Sequence, residues 1–371
     1  MINILLLLAG LVCLAAFACF QHPRFGRPPS GARLDRIKRS RYYANGQFYN
    51  LAPKPMLAKG KNQAGILWDF LFKKPDQAAP AGIIPGRYTD LRQFGPQDNV
   101  LVWLGHSSYF VQLNGKTLLV DPVMGQIASP VAFVGQAFRG SRRYDLKDLP
   151  EANYVLITHD HWDHLEYETI RALKDSPATF VCGLGVGEHL EYWGVPLERI
   201  LELDWNESHD LVEGLTLHSL PTHHFSGRTL RSNTSLWMAY VLESPTKRLY
   251  FGGDSGYEAH FAAAGKRFGG FDLAVLENGQ YNVDWPHHHM QPEQTLQAAV
   301  DLHATTLLPV HSGKFVLARH AWDEPLRRLC ALENPENLRL ITPEIGEPVW
   351  LDDQTQTFSR WWERLEGRDA P

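Results

Sequence analysis

His159-Asp160-His161-Trp162-Asp163-His164 follows the apolar run 154–158 directly. A short apolar run that breaks into a polar cluster reads as a buried strand handing over to a strand-end loop. Three imidazoles and two carboxylates fall within six positions there. These are the groups zinc accepts where no thiolate is offered, and a strand-to-helix turn aims alternate side chains into one pocket. Polar residues at an ordinary surface turn have little reason to accumulate with the spacing H-x-H-x-D-H. The stretch therefore reads as metal-ligating.

Working outward, one metal needs at least three protein ligands, and further candidates stand at the ends of other apolar runs. His223 and His224 follow 215–220. Asp254 follows 248–251 within Gly252-Gly253-Asp254-Ser255-Gly256, whose glycines permit close backbone approach. His311 closes Leu307-Leu308-Pro309-Val310-His311. Neighbours on an extended chain point to opposite sides, so only one of His223 and His224 can bind, and spacing does not choose between them. Further strands are expected at 100–104, 108–113, 117–121, 179–182, 235–242, 273–276, 306–309 and 338–341. With helices expected at 166–173, 257–266 and 292–303, the chain is α/β.

The ordered series H-x-H-x-D-H, His, Asp, His resembles that of the metallo-β-lactamase superfamily. Within it, five stretches are similar to the branch containing N-acylphosphatidylethanolamine-hydrolysing phospholipase D. They are Trp103-Leu104-Gly105-His106-Ser107-Ser108, Val120-Asp121-Pro122-Val123, Pro221-Thr222-His223-His224-Phe225-Ser226-Gly227-Arg228, Phe251-Gly252-Gly253-Asp254-Ser255-Gly256-Tyr257 and His311-Ser312-Gly313-Lys314-Phe315. The resemblance implies a four-layer αβ/βα sandwich over 96–350, with an extension over 21–95 wrapping it and a C-terminal tail over 351–371.

Residue by residue, the resemblance puts His159, His161 and the downstream histidine on one metal. Asp163, His164 and His311 go on the other, with Asp254 bridging. The branch pattern Pro-x-x-His-x-Ser-x-Arg selects His224 and leaves His223 a supporting role. Two Zn²⁺ per chain are implied, because His161 stands where the superfamily's diiron flavoproteins carry Glu. Asp163 and Asp254 then flank a hydroxide shared by the metals, nucleophilic at neutral pH because its pKa is lowered. Asp121 is assigned to orienting a ligand from behind, or else to capping the turn at Pro122. His106 lines the pocket or satisfies a loop carbonyl. His289, in the cluster Trp285-Pro286-His287-His288-His289-Met290, is expected at the wall of a substrate groove. Arg228 and Lys314 either neutralise a phosphate or remain solvated or paired. Trp162, Phe225, Trp237 and Trp285 offer apolar surface to acyl chains, or fill the core.

Residues 1–20 are almost continuously apolar, close to the length a helix needs to cross a bilayer. No Lys or Arg precedes the run, whereas Arg24, Arg27, Arg33, Arg36, Lys38, Arg39 and Arg41 follow it. The positive-inside bias then favours a retained apolar helix as single anchor with a cytoplasmic catalytic domain. The alternative is an exported protein or lipoprotein cleaved near Ala16-Phe17-Ala18-Cys19. A net charge of −5 over 371 residues leaves no global basic field for nucleic acid. The four cysteines, two of them in the apolar N-terminus, build neither a disulfide framework nor a CxxC zinc motif.

The expected activity is hydrolysis of a phosphodiester in a membrane phospholipid, with N-acylphosphatidylethanolamine as the substrate the resemblance implies. Expected partners are that lipid or another phosphodiester, a membrane, and a second copy in a homodimer. Two other readings stand beside it: a lactone, lactam or other ester metallohydrolase, and a membrane-anchored envelope scaffold with a vestigial site. The fold alone separates none of these.

Overall fold

The computed structural model describes residues 20–365 apart from 74, 76, 132, 133 and 230. The apolar anchor segment, but for Phe20, lies outside the described residues. Among the described residues no helix is long and apolar enough to cross a membrane.

The Pro-, Gly- and Arg-rich 21–95 region has too few apolar residues for a core of its own and is held by the rest of the chain. It carries α1 (Gly31–Ile37), a short hairpin of β1 (Tyr43–Ala44) and β2 (Gln47–Phe48), and α2 (Gln63–Phe72). The Trp193 indole donates to the Pro23 carbonyl, and the Phe25 ring sits 5.1 Å from that of Trp162. The Arg33 guanidinium lies 2.6 Å from Glu202 and 2.9 Å from Glu188.

Strand-forming runs such as Val100–Gly105 and Leu273–Glu277 are buried at every position, as strands covered on both faces must be. In chain order, β3 (Val100–Gly105), β4 (Ser108–Leu113), β5 (Lys116–Val120), β6 (Tyr154–Ile157), β7 (Thr179–Gly183) and β8 (Ile200–Leu203) form one sheet. The second sheet holds β9 (Ser208–Val212), β10 (Leu215–Leu220), β11 (Ala239–Glu243), β12 (Arg248–Phe251), β13 (Leu273–Glu277), β14 (Thr306–Val310) and β15 (Arg339–Leu340). β16 (Pro348–Trp350) returns to the first sheet beside β3. Each sheet is antiparallel in one half and parallel in the other: β5 to β8 run parallel, as do β12 to β15.

The period-two alternation of strand side chains sorts the core into layers. Leu101, Trp103, Tyr109 and Val111 meet Tyr240, Leu242, Leu249 and Phe251 between the sheets. On the outer face of the first sheet, Val100, Val102 and Phe180 pack under α3 (Tyr167–Leu173) and α4 (Gly187–Tyr192). On the outer face of the second, Val241, Tyr250 and Leu307 pack under α5 (His260–Phe268), α6 (Pro292–Asp301) and α7 (Glu324–Ala331). The result is the expected four-layer α-β-β-α sandwich.

Three expectations need correction. Only Ala239–Glu243 of the strand expected at 235–242 pairs in a ladder. The Leu236 and Met238 amides donate instead to the carbonyls of Leu184 and Thr158, on loops of the other sheet. The helix expected from 257 begins at His260 and runs to Phe268, where Gly269 at φ 75° closes it by donating to the Gly265 carbonyl. Beyond 350, Trp361 and Trp362 are each 1% exposed and lie in the inter-sheet core, because two indoles are too apolar to leave in water.

Candidate metal centre

The parallel and antiparallel registers bring the ends of β3, β5, β6, β10, β12, β13 and β14 to one edge of the two sheets. The loops there carry His106, Asp121, His159 to His164, His224, Asp254 and His311. Three of these residues hold left-handed backbone that non-glycine residues rarely adopt: His106 at φ 54°, Asp121 at 42° and His311 at 64°. Such conformations persist where the surroundings over-determine them, typically at functional sites. Gly253, at φ 58°, lets the Asp254 loop press against β6: a Cβ there would stand 3.0 Å from both the Thr158 Cβ and the Met238 carbonyl.

Two groups of side chains could each hold a cation, the donor atoms of each lying within 4.8 Å of one another. The first is His159, His161, His224 and Asp254. The second is His106, Asp163, His164 and His311. His159 Nε2 and His161 Nδ1 approach to 2.9 Å, and His224 Nε2 stands 3.2 Å from the same Nδ1. Asp254 lies between the groups. Its Oδ2 is 3.7 Å from both His159 Nε2 and His224 Nε2 and 3.2 Å from His164 Nε2, and its Oδ1 is 3.2 Å from His311 Nδ1. His289, Asp254 and His311 form a third grouping that overlaps the other two.

The surrounding hydrogen bonds fix which ring nitrogens are free. The Thr158 hydroxyl donates to Asp121 Oδ2 at 2.6 Å, so its oxygen accepts from His159 Nδ1 at 3.0 Å and leaves Nε2 facing the site. His164 Nδ1 donates to Asp121 Oδ2 at 2.7 Å, and His224 Nδ1 donates to the His288 carbonyl at 3.2 Å. Outer carboxylates and carbonyls orient metal-binding histidines in this way. His164 Nε2 and Asp254 Oδ1 are buried with no hydrogen-bond partner among the described residues. Buried polar atoms without a partner are costly, and a cation would satisfy both.

The electrostatics divide the set. At His164 burial favours the neutral ring, but Asp254, Asp163 and Asp121 outweigh it and hold the ring well above the ordinary imidazole value. Burial raises the Asp254 carboxyl despite His164 beside it, whereas the histidines of the first group go down. Burial first, and neighbouring imidazoles second, hold His159 and His224 well below the ordinary imidazole value. Burial brings His161 down to about 4, against the pull of Asp163 and Asp160. Neutral imidazole is the form that binds metal. For Asp163, burial favours the neutral acid, but His164 and His106 outweigh it and hold the carboxyl well below the usual range. The donor set therefore fits a pair of divalent cations.

Other expected residues take the following places. Asp121, 1% exposed, also accepts the Thr158 amide at 2.8 Å and so holds β6 as well as His164. His106 is more than a pocket wall: its Nε2 lies 3.0 Å from Asp163 Oδ2, inside the second group. His223 is outside all three groups, while its amide donates to Ser255 Oγ, as alternation along an extended chain requires. Arg228 and Lys314 are not phosphate-facing cations. Arg228 is buried, donates to the carbonyls of Arg24, Asp160 and Leu165, and lies 4.1 Å from the Trp162 ring centre. Lys314 Nζ is buried against the Val123 carbonyl at 2.6 Å. Of the aromatics, Phe225 lies at the site, 4.4 Å from the His161 ring, whereas Trp237 is core.

Residues the motif reading missed are Thr158, Ser107, Asn50 and Glu277. Ser107 Oγ bonds His311 Nδ1 at 2.9 Å, and the Asn50 amide clamps both backbone groups of His224. Glu277, an acid closing the apolar run of β13, was visible in the sequence as a strand-end carboxylate like Asp121.

The sandwich and the paired His/Asp groups define a metal-dependent hydrolase, and the chain belongs to the metallo-β-lactamase superfamily. The family model described as beta-lactamase superfamily domain matches residues 116–312. The chain is 38% identical over 368 residues to an uncharacterised protein of Mycobacterium tuberculosis, covering 96% of this chain and 98% of that one. It is 27% identical over 265 residues to N-acyl-phosphatidylethanolamine-hydrolyzing phospholipase D 1 of Caenorhabditis elegans, covering 67% of this chain and 74% of that one. The structure of Igni18, a metallo hydrolase from Ignicoccus hospitalis, matches with a TM-score of 0.52 at 21% identity, over 68% of this chain and 98% of that one, a likeness of fold.

Proposed function

We propose that the protein is a dizinc phosphodiesterase acting on a membrane phospholipid of the N-acylphosphatidylethanolamine type. The observation that carries this is the Asp254 carboxylate, which lies between the two groups, with Oδ2 3.7 Å from His159 and His224 and 3.2 Å from His164, and Oδ1 3.2 Å from His311. His159, His161 and His224 would hold one ion, Asp163, His164 and His311 the other, with Asp254 between them and His106 bracing Asp163. Bound there, two zinc ions supply Lewis acidity toward a phosphoryl oxygen and make water nucleophilic at neutral pH. The chain's own part is positioning. Asp121 and Thr158 lock His159 and His164, and His106 Nε2 holds Asp163 Oδ2 in place at 3.0 Å.

The lipid half of the reading draws on two supports. One is the activity named for the nematode relative. The other is an apolar cavity of about 670 Å³ lined by residues including Phe72, Pro80, Phe138, Val316 and Ala318, a size typical of small-ligand pockets. Phe315 links the two: it bridges to Ala137 of the cavity lining and stands 5.1 Å from the His106 ring. Residues 1–20 would act as the membrane anchor.

The test is zinc-dependent release of phosphatidic acid from N-acylphosphatidylethanolamine vesicles by purified protein, beside a lactone and a lactam. Lipid cleavage that disappears on chelation and returns with zinc supports the reading. Turnover of the lactone or lactam alone overturns the phosphodiesterase assignment, and metal content below one equivalent with no turnover overturns the enzymatic one.

A further inference from the structure

Glu277 is a buried carboxyl, 1% exposed, whose oxygens are taken up by His289 and the Met290 amide. Acids in that position are rare unless they are bonded for a purpose. Glu277 closes β13 and pairs in register with Val310, the residue before His311, so it stands on the same edge as the metal groups. Its Oε2 lies 3.1 Å from His289 Nδ1, and its Oε1 accepts the Met290 amide at 2.5 Å. The Glu277 carbonyl in turn accepts the Thr295 hydroxyl at 3.0 Å, from the first turn of α6. The crossing from β13 to α6 is thus pinned on both sides of His289. The His289 ring stacks on that of His311 at 4.9 Å and 22°, and lies 5.3 Å from that of His224. It spans one histidine of each metal group, and its Nε2 has no hydrogen-bond partner among the described residues.

We propose that Glu277 is a positioning residue. By occupying His289 Nδ1 it fixes the ring so that the free Nε2 is presented to the reacting group of the substrate over Asp254 and His311. This role rests on the phosphodiesterase reading above. In that reading Nε2 carries the hydrogen and donates it to a phosphoryl oxygen while Nδ1 is held by the Glu277 carboxyl, and Glu277 acts only through the histidine.

The test is a double-mutant cycle on zinc-loaded full-length protein with bis(p-nitrophenyl) phosphate, using Glu277→Gln, His289→Ala and the pair. Glu277→Asp serves as a second variant that withdraws the carboxyl group by one methylene. We expect each single change to lower kcat about 10- to 100-fold, as loss of an orienting partner does. Zinc content should stay at the wild-type level, and the pair should be no slower than His289→Ala alone. The proposal is overturned if the losses multiply, if Glu277→Gln and Glu277→Asp keep wild-type kcat, or if either sheds zinc. Absence of diester turnover by the wild-type protein would instead count against the phosphodiesterase reading itself. In that case the cycle is run on the substrate that is turned over, with the same outcomes.

Discussion

At the residue scale, one carboxylate organises a disproportionate share of the centre. Asp121 accepts the Thr158 amide on Oδ1 and both the Thr158 hydroxyl and His164 Nδ1 on Oδ2. Through Thr158 it also fixes His159, so it reaches one histidine of each metal group. Asp121→Ala should weaken zinc binding or lower kcat about 10- to 100-fold. Zinc titration and steady-state kinetics check this, and wild-type values in both would refute it. Lys314 poses a different problem, an ammonium held in the interior near His311. Burial lowers its pKa from 10.5 to about 8. Between those two values the unfolded chain binds more protons than the folded one, so this group's contribution to stability rises with pH. Below about pH 8 the burial cost is complete, about 3 kcal/mol from a shift of this size. The stability advantage of Lys314→Met over wild type should therefore shrink as pH rises from 7.5 toward 10.5. Denaturant unfolding of both proteins at several pH values measures it, and a pH-independent difference would contradict the assignment.

At the scale of elements, what could be read from the sequence followed burial. Interior strands such as β4, β10 and β12 carry apolar or alternating apolar patterns bounded by polar turns, and their limits coincide with those expected. The edge strands β8, β9 and β16 escaped, because a strand with one free edge needs no continuous apolar run, and Ser208, His209 and Asp210 of β9 are exposed. The candidate metal ligands were legible because they lie on loops that follow strand ends. Glu277 closes a strand itself, yet its partner His289 lies in a loop of adjacent histidines where spacing carries no period. The extension was legible only as irregular, since its anchors are polar contacts to sequence-distant residues. Arg33 is the strongest of these, its side chain 9% exposed against Glu202 and Glu188. Removing one member leaves buried carboxylates without their cation, a loss of about 3–5 kcal/mol. Arg33→Ala should show it as a lowered denaturation midpoint, while Arg36→Ala, whose partner Glu207 is solvent-facing, should change little. Equal midpoints for the two variants would mean that the extension is held by its apolar contacts instead.

At the scale of the whole molecule, the two sheets meet along one edge, and the centre is assembled from both. His159, Asp163 and His164 come from the loop after β6 of the first sheet, and His224, Asp254 and His311 from loops of the second. The extension spans the same seam, with Arg33 on the first sheet's acids and Asn50 on the backbone of His224. Cations held in this position would tie the two halves of the sandwich together. His161 Nδ1 stands 2.9 Å from His159 Nε2 and 3.2 Å from His224 Nε2, so the first sheet's histidines and the second sheet's histidine converge on one point. Ions that bind the folded chain and not the unfolded one stabilise it by mass action, by about 4 kcal/mol when free zinc is a thousandfold above its Kd. Dialysis against a chelator should accordingly lower Tm and speed amide exchange at the loops after β6, β10 and β12 together, since they share the site. Zinc should restore both in a dose-dependent way. Exchange that quickens after β6 alone would mean that the metal belongs to one sheet and that Asp254 does not join the halves.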